Sequence, residues 1–261
     1  MMEKIKIETD GHVLLIGFNR PGKMNAFDPE MYMQLAEALG KLNDNPELRC
    51  GLIYAEGKHF TSGLDMVTWV DIFSSGSFPE LPEGYCEPFG LDESRRVGKP
   101  LVMAVQGICY TIGLELMLAT DVRVAAADTR FGQIEVKRGI YAVGGATVRL
   151  HEEIGWANAM RYILTGDEIN AEEAYRLGLV QEVVKPGEQF DRGLEMAINI
   201  AAQAPLGVQA SLRSARLARS EGPQKAISRL LPDLQPIMQS EDALEGVQSF
   251  IERRQARFKG K

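Results

Sequence analysis

Cysteine and histidine are scarce in this sequence, which contains three of each among its 261 residues. No two cysteines form a CxxC pair, and none has a histidine at the spacing of a metal site; they are Cys50, Cys86 and Cys109. Neither a disulfide framework nor a zinc site is therefore expected. The histidines form no visible dyad with a serine or a cysteine, so we assign them structural or solvated roles.

Long apolar runs are also missing. The most apolar stretch, residues 101–127, is interrupted by Gln106, Glu115, Asp121 and Arg123. These polar residues are too frequent for a membrane span. The opening segment MMEKIKIETDGHVLLIGFNRP has acidic residues and no long apolar stretch, unlike a signal peptide. We therefore expect a cytoplasmic protein without a membrane partner.

Basic residues are not in excess over acidic ones either. The chain has 29 Lys and Arg against 36 Asp and Glu, a formal net charge of −7. A general nucleic-acid binder needs a clustered basic surface, so no nucleic-acid partner is expected. The one basic cluster is the terminal RRQARFKGK. It is interpreted first as a solvated tail and alternatively as a contact for a phosphate-bearing ligand.

Strand and helix patterns alternate through most of the chain. IKIETDGHVLLIGFN predicts a hairpin that turns at Asp10-Gly11. Asp28 and Pro29 begin an amphipathic helix with an N-cap and a proline at its first position. Buried strands are predicted for CGLIYAEG, LVMAVQG and DVRVAAA, with the helix GLELMLAT between the last two. This order predicts an α/β fold.

Two regions depart from that alternation. Residues 71–94 are rich in Gly, Pro and Ser and predict a long loop, which is usually functional or mobile. From about residue 191 the pattern is helical only. We therefore predict a core of residues 1–192 and a helical C-terminal region of residues 193–261.

Two carboxylates lie in unusual surroundings. Glu115 is set in the apolar run QGICYTIGLELMLATD, where burial without a purpose would cost several kcal/mol. Glu135 lies in RFGQIEVKRGIYAVGG, but Lys137 and Arg138 are close by, so residue type alone favours a solvated, ion-paired role for it. Glycines precede a helix in the first run, and a helix start exposes unpaired N–H groups.

The order of these motifs resembles that of the crotonase, or enoyl-CoA hydratase/isomerase, superfamily, and its enoyl-CoA hydratases most of all. The resemblance runs nearly end to end, through NRPGKMNAF, HFTSGLDM, the stretch from KPLVMAVQG to IEVKRGI, LTGDEINAEEAYRLGLV and FIERRQARFK. It implies a crotonase-like spiral of repeated ββα turns. It also implies that residues 193–261 serve oligomerisation, in a homotrimer or a dimer of trimers.

The resemblance further implies a thioester site. Its oxyanion hole would consist of the backbone N–H groups of Leu64 and Ile112. Glu115 and Glu135 would be the catalytic pair that handles water and moves a proton at the α-carbon. The implied contacts with coenzyme A and the acyl group are Lys23, Met24, Ala26, Gly63, Asp65, Met66, Val67, Gly113, Val143, Phe250 and Arg253. Coenzyme A belongs to the substrate, and no other cofactor and no metal is expected.

Two departures from the family pattern leave the substrate open. Thr111-Ile112-Gly113 replaces a glycine triplet, and Ala142-Val143 replaces a Pro-Gly pair. Hydration of a 2-enoyl-CoA is the leading hypothesis. The alternatives are a Δ3-Δ2-enoyl-CoA isomerase, which can work with the Glu135-type carboxylate alone, and a non-catalytic homologue that binds acyl-CoA or associates with RNA. A dienoyl isomerase would be expected to carry a carboxylate at Val143, and no aromatic sugar platform supports a glycosidase.

Overall fold

Two β-sheets form the centre of the fold. The structure, a computed structural model, describes residues 3–261. The larger sheet has the order β1 (Ile5–Asp10), β2 (Val13–Phe18), β3 (Cys50–Ala55), β4 (Leu101–Val105), β6 (Val122–Ala126) and β9 (Glu182–Val184). Only the β1–β2 pair in it is antiparallel. The smaller sheet contains β5 (Ile108–Tyr110), β7 (Arg130–Gly132) and β8 (Ile169–Asn170).

Helices connect and cover these sheets. They are α1 (Pro29–Asp44), α2 (Met66–Ser74), α3 (Ile112–Ala119), α4 (Ala146–Ile154), α5 (Trp156–Thr165), α6 (Ala171–Arg176), α7 (Gln189–Ala201), α8 (Pro205–Glu221), α9 (Pro223–Ile237) and α10 (Glu241–Glu252). Along residues 3–261, no helix combines the length and the apolar character that crossing a bilayer requires. The predicted α/β architecture is confirmed.

The predicted hairpin and first helix are present. β1 and β2 pair as far as Asp10 and Val13, around the expected turn. The Asp28 side chain accepts a hydrogen bond from Met31 N at 3.0 Å, which caps α1. β2, β3 and β4 are buried along their whole lengths, as expected for strands that are covered on both faces.

The prediction of a loop over residues 71–94 is wrong for its first four residues, because residues 71–74 complete α2. This helix is anchored by Trp69, which is fully buried and donates from Nε1 to Phe27 O at 2.8 Å. The remaining loop contains a short 3₁₀ turn at Glu93–Arg95. Aromatic rings from α1, α2 and this loop pack together; they are Tyr32, Trp69, Phe73, Phe78 and Phe89. This aromatic cluster fixes the loop to the core.

The C-terminal helices differ in how they contact the core. α7 covers the larger sheet, where Gly193 allows close contact with Ala104 and Leu52. The predicted boundary after residue 192 therefore lies inside a helix that packs on the core sheet. α8 and the helices after it expose many apolar side chains, including Ile227, Leu231, Leu244, Val247 and Phe250. The oligomerisation role of this region stays a prediction.

The terminal basic segment folds back onto α10. Asp242 accepts hydrogen bonds from Lys259 N at 2.6 Å and Gly260 N at 2.8 Å. Arg49 Nη2 also donates to Phe258 O at 2.9 Å. The interpretation of this segment as a free solvated tail is therefore wrong for its backbone, because the side chains of Asp242 and Arg49 hold that backbone in place. Its basic side chains nevertheless remain exposed at Arg253, Arg254, Arg257 and Lys259.

Candidate active site

One cavity of about 460 Å³ contains both predicted carboxylates. Its walls come from the segment before α2, from α2 and the loop after it, from α3, and from the chain between β7 and α4. The lining residues are Leu64, Phe73, Gly76, Ser77, Phe78, Glu115, Glu135, Gly139, Ile140, Tyr141 and Val143. Four of the predicted site residues therefore lie together here, namely Leu64, Glu115, Glu135 and Val143.

Glu115 lies in the first turn of α3 and is almost fully buried, with 3% of its surface exposed. Its Oε1 accepts a hydrogen bond from Ala146 N at 3.1 Å. Gly144 is needed for this approach, because a Cβ there would lie 2.7 Å from Glu115 Oε2. Burial, together with the negative charge of Glu135, raises the pKa of Glu115 to about 8.

Glu135 begins a 3₁₀ turn at Glu135–Arg138 and is also buried. The solvated role that residue type alone favoured is wrong, because the turn directs Glu135 to the cavity and leaves Lys137 and Arg138 exposed. Within residues 3–261, Glu135 Oε2 has no hydrogen-bond partner. Burial raises the pKa of Glu135 to about 7.

The two carboxyl groups share one buried environment. Burial is the main cause of both raised pKa values, and the negative charge of Glu135 makes ionisation of Glu115 still less favourable. Such a pair can accept a proton at one oxygen while it donates a proton at another.

Two backbone N–H groups, one on the cavity wall and one at the start of the helix that carries Glu115, have no acceptor in the described part of the chain. One belongs to Leu64, which lines the cavity and follows Gly63 at φ +105°. The other belongs to Ile112, the first residue of α3, where a helix leaves its N–H groups unpaired. Ile112 does not itself line the cavity. Hydrogen bonds between Thr61 and the β5 strand hold the two segments side by side.

Comparison with known proteins identifies the family. The sequence model of the family described as enoyl-CoA hydratase/isomerase matches residues 8–261. The chain belongs to this family. It is 34% identical over 255 residues to the enoyl-CoA hydratase EchA19 of Mycobacterium tuberculosis, covering 98% of this chain and 96% of that protein.

A second relative and a solved structure extend the comparison. The (E)-benzylidenesuccinyl-CoA hydratase of Thauera aromatica is 34% identical over 259 residues, which cover 98% of this chain and 99% of that protein. The crystal structure of "a probable enoyl-CoA hydratase/isomerase from Mycobacterium abscessus" superposes with a TM-score of 0.96 at 47% identity, covering 99% of each chain. The crotonase fold predicted from the resemblance is confirmed.

Most of the residues that the family resemblance assigned to coenzyme A lie in segments beside the cavity. Ser62 N donates to Met24 O, and Phe27 N donates to Gly63 O, each at 2.9 Å. These bonds place Lys23, Met24 and Ala26 next to the segment from Gly63 to Asp65. Met66 and Val67 follow at the start of α2, and Val67 is 88% exposed. Gly113 lies in the first turn of α3.

Phe250 and Arg253 lie elsewhere. Phe250 is on α10 with 84% of its surface exposed, and Arg253 caps that helix in a left-handed conformation. Neither residue lines the cavity of its own chain. Their proposed contact with coenzyme A therefore depends on a second copy of the chain, and it stays a prediction.

Several residues of the site were not found from the sequence. Asn25 is fully buried, and its Nδ2 donates to Glu56 O and His59 O, each at 2.9 Å. Asn25 fixes the turn that carries Met24, and its own φ is positive, at 51°. Asparagine tolerates a positive φ better than most residues, so its presence was the signal in the sequence for a turn here. Arg149 holds the backbone at Phe89 and Gly90 and opposes the rise in the Glu115 pKa. Phe73, Phe78 and Tyr141 had no distinguishing pattern.

The raised carboxyl pKa values predict a pH-dependent stability. A carboxyl group whose folded pKa lies above its ordinary value of 4.5 stabilises the fold fully below that value, and the contribution is lost as pH rises through the folded pKa. We expect the thermal midpoint to fall between pH 5.5 and pH 8.5, and to fall less in Glu115→Gln, which cannot ionise. Differential scanning calorimetry at both pH values measures this difference.

The matched control is Glu172→Gln, which changes an exposed glutamate in the first turn of α6. It should follow the wild-type pH dependence. An equal fall in the wild type and in Glu115→Gln would contradict the assigned pKa shift.

Proposed function

We propose that this protein is a hydro-lyase that adds water across the 2,3 double bond of an enoyl-CoA thioester. The observation that carries the proposal is the pair of buried carboxyl groups, Glu115 and Glu135, in one cavity. An unbonded N–H group lies on the cavity wall at Leu64, and a second lies at Ile112, at the start of the helix that carries Glu115. Hydration requires a base for water, an acid for carbon and donors for a developing negative charge. This site contains a candidate for each role.

The N–H groups of Leu64 and Ile112 are proposed to bind the thioester oxygen. When water attacks C3, the π electrons move toward the carbonyl and produce an enolate oxygen. Donors that are already oriented in a water-poor site stabilise that charge, and each is worth about 3 to 4 kcal/mol in measured oxyanion holes. The positive end of the α3 dipole adds to the effect at Ile112.

The carboxyl pair is proposed to move the protons. The reactive form of the pair carries its one proton on Glu135 and leaves Glu115 ionised, although Glu115 has the higher pKa. Glu115 then accepts a proton from the attacking water, and a C3–O bond forms. Glu135 then donates a proton to C2 as the enolate collapses, giving a 3-hydroxyacyl-CoA. The pair begins and ends the cycle with one proton in total, so transfer between the two groups restores the starting state.

The acyl end of the cavity favours an apolar substituent. Phe73, Phe78 and Tyr141 contribute aromatic surface, and Ile140 and Val143 contribute aliphatic surface. Apolar lining with few polar groups is typical of sites that bind hydrophobic ligands. One relative is named for an aromatic CoA thioester, and we include aromatic acyl groups among the proposed substrates. Coenzyme A enters as part of the substrate, and the proposed steps use no other group.

The assignment of roles to the carboxylates gives a first test. Glu115→Gln should reduce hydration of a 2-enoyl-CoA by about 10² or more, the scale of one general acid or base. Isomerisation of a 3-enoyl-CoA, which needs only proton transfer, should be reduced less. Glu135→Gln should lower both reactions strongly. Loss of absorbance at the conjugated thioester band measures hydration, and its gain measures isomerisation.

The same assay distinguishes the alternatives. A wild-type protein that isomerises without hydrating, and whose Glu115→Gln variant behaves normally, would establish the isomerase instead. Tight binding of acyl-CoA without either reaction would support the non-catalytic homologue. Thr129→Ser, a conservative change outside the cavity, serves as the control for general effects of substitution.

We also propose that three copies form a closed ring, alone or doubled to six. The exposed apolar side chains of α9 and α10 need cover, and homo-oligomers usually have closed symmetry. In such a ring Phe250 and Arg253 of one copy would reach the coenzyme A bound to another. Arg253→Ala should therefore raise KM for CoA thioesters more than it lowers kcat, because this contact is distant from the reacting atoms.

Arg213→Ala, which removes an exposed arginine from α8, is the matched control and should leave KM unchanged. Steady-state kinetics on both variants and light scattering on the wild type measure these effects. A monomer at micromolar concentration, or equal KM values for both variants, would contradict the proposal.

A further inference from the structure

The two segments that carry the unbonded N–H groups share a four-residue pattern. Residues 61–64 read TSGL and residues 111–114 read TIGL. The pattern places a threonine two residues before a glycine in both segments. The N–H of Leu64 directly follows the glycine of the first segment, and the N–H of Ile112 directly follows the threonine of the second.

Each threonine packs against the glycine of the other segment. A Cβ on Gly113 would lie 2.6 Å from Thr61 Cγ2. A Cβ on Gly63 would overlap Thr111 Oγ1 and would lie 3.3 Å from Thr111 Cγ2. Both contacts are therefore too close for any residue larger than glycine, and the two segments are interlocked in both directions.

The two threonines differ in how their hydroxyl groups are satisfied. Thr61 Oγ1 donates to Asn25 O at 2.7 Å and accepts from Gly63 N at 3.1 Å. Thr111 is 8% exposed, and its Oγ1 has no hydrogen-bond partner in the described part of the chain. A buried hydroxyl without a partner is unfavourable. The presence of a threonine at position 111 is therefore not explained by a hydrogen bond of its hydroxyl group.

The backbone of Thr111 is strained as well. Its φ of 50° and ψ of −114° lie in a region that glycine adopts readily and a β-branched residue rarely adopts. Hydrogen bonds from Thr111 N to Gly132 O at 2.7 Å and from Glu115 N to Thr111 O at 3.0 Å hold this conformation. Strain of this kind persists where the surroundings enforce it, and it is concentrated at functional sites.

We propose that Thr111 is a positioning residue for the thioester site. Its side chain fills the space against Gly63 and so fixes the direction of the Leu64 N–H relative to the Ile112 N–H. The inference rests on the proposed binding of a thioester oxygen by these two groups. Removal of the Thr111 side chain would leave an unfilled space against Gly63, so Gly63 could move and the Leu64 and Ile112 N–H groups would no longer converge.

The test measures the polarisation of a bound carbonyl, which does not depend on turnover. A saturated acyl-CoA, which cannot be hydrated, with ¹³C at the thioester carbonyl is bound to the full-length protein, and infrared difference spectroscopy records its carbonyl stretch. The wild type should lower this frequency. Thr111→Ala should lower it less and should reduce kcat by about tenfold to 10²-fold with KM nearly unchanged, because misplaced catalytic groups cost this much.

Two further variants separate positioning from general stability. Thr111→Ser keeps the oxygen that contacts Gly63 and should restore both the band and kcat. Thr129→Ala removes another buried threonine, whose Oγ1 donates to Val105 O at 3.3 Å, and should lower the thermal midpoint without moving the band. A wild-type band and rate in Thr111→Ala would overturn the inference.

The infrared measurement can fail independently of the proposed function, because it reports the bound carbonyl and not hydration. A wild-type protein that lowers the carbonyl frequency but never hydrates a 2-enoyl-CoA would remove the hydratase proposal, and the Thr111 variants would still test positioning through the band. A wild-type protein that binds the thioester without lowering the frequency would overturn the inference itself.

Discussion

The burial of two carboxyl groups in one cavity is the constraint on which the rest of this site depends. Taking a carboxylate out of water is costly unless it is neutralised or hydrogen-bonded. Here Glu115 receives hydrogen bonds from the backbone near Ala146, while one oxygen of Glu135 has no partner in residues 3–261. Burial therefore raises the pKa of both groups toward neutral pH, the range in which a carboxyl group can serve as an acid or a base.

Backbone geometry supplies the remaining polar groups. Glycines at positions 63, 113 and 144 allow main chain to approach side chains too closely for any other residue. Two of them form the interlocked segments that carry the Leu64 and Ile112 N–H groups. The third allows the chain before α4 to meet Glu115. The apolar sheet and helices behind these contacts hold them rigidly, since close-packed interiors resist small displacements.

Local patterns in the sequence were sufficient to predict five strands of the larger sheet, the α1 cap and the burial of Glu115, but not β9 or the three strands of the smaller sheet. The apolar neighbours of Glu115 were an unambiguous signal, whereas the basic neighbours of Glu135 pointed to solvent. Glu135 was assigned to the site only through family resemblance, because a 3₁₀ turn can separate a carboxylate from adjacent lysine and arginine in a way that composition does not encode.

Other features required tertiary structure. The fixed backbone of the terminal segment depends on Asp242 and Arg49, which are distant in sequence from the residues they hold. The strain at Thr111 arises because Gly132 and Glu115 fix its backbone from two sides. Phe73 and Phe78 line the cavity because α2 and its loop fold over α1, and a loop rich in Gly, Pro and Ser contains no local pattern for that arrangement.

A crystal structure of the protein with a saturated acyl-CoA, which cannot be hydrated, tests the central claim most directly. We predict that the thioester oxygen accepts hydrogen bonds from the N–H groups of both Leu64 and Ile112, at about 2.7 to 3.1 Å. C3 of the acyl group should face Glu115, and C2 should face Glu135. A thioester oxygen bound by neither N–H group, or an acyl group outside the cavity that holds the two carboxylates, would contradict the account.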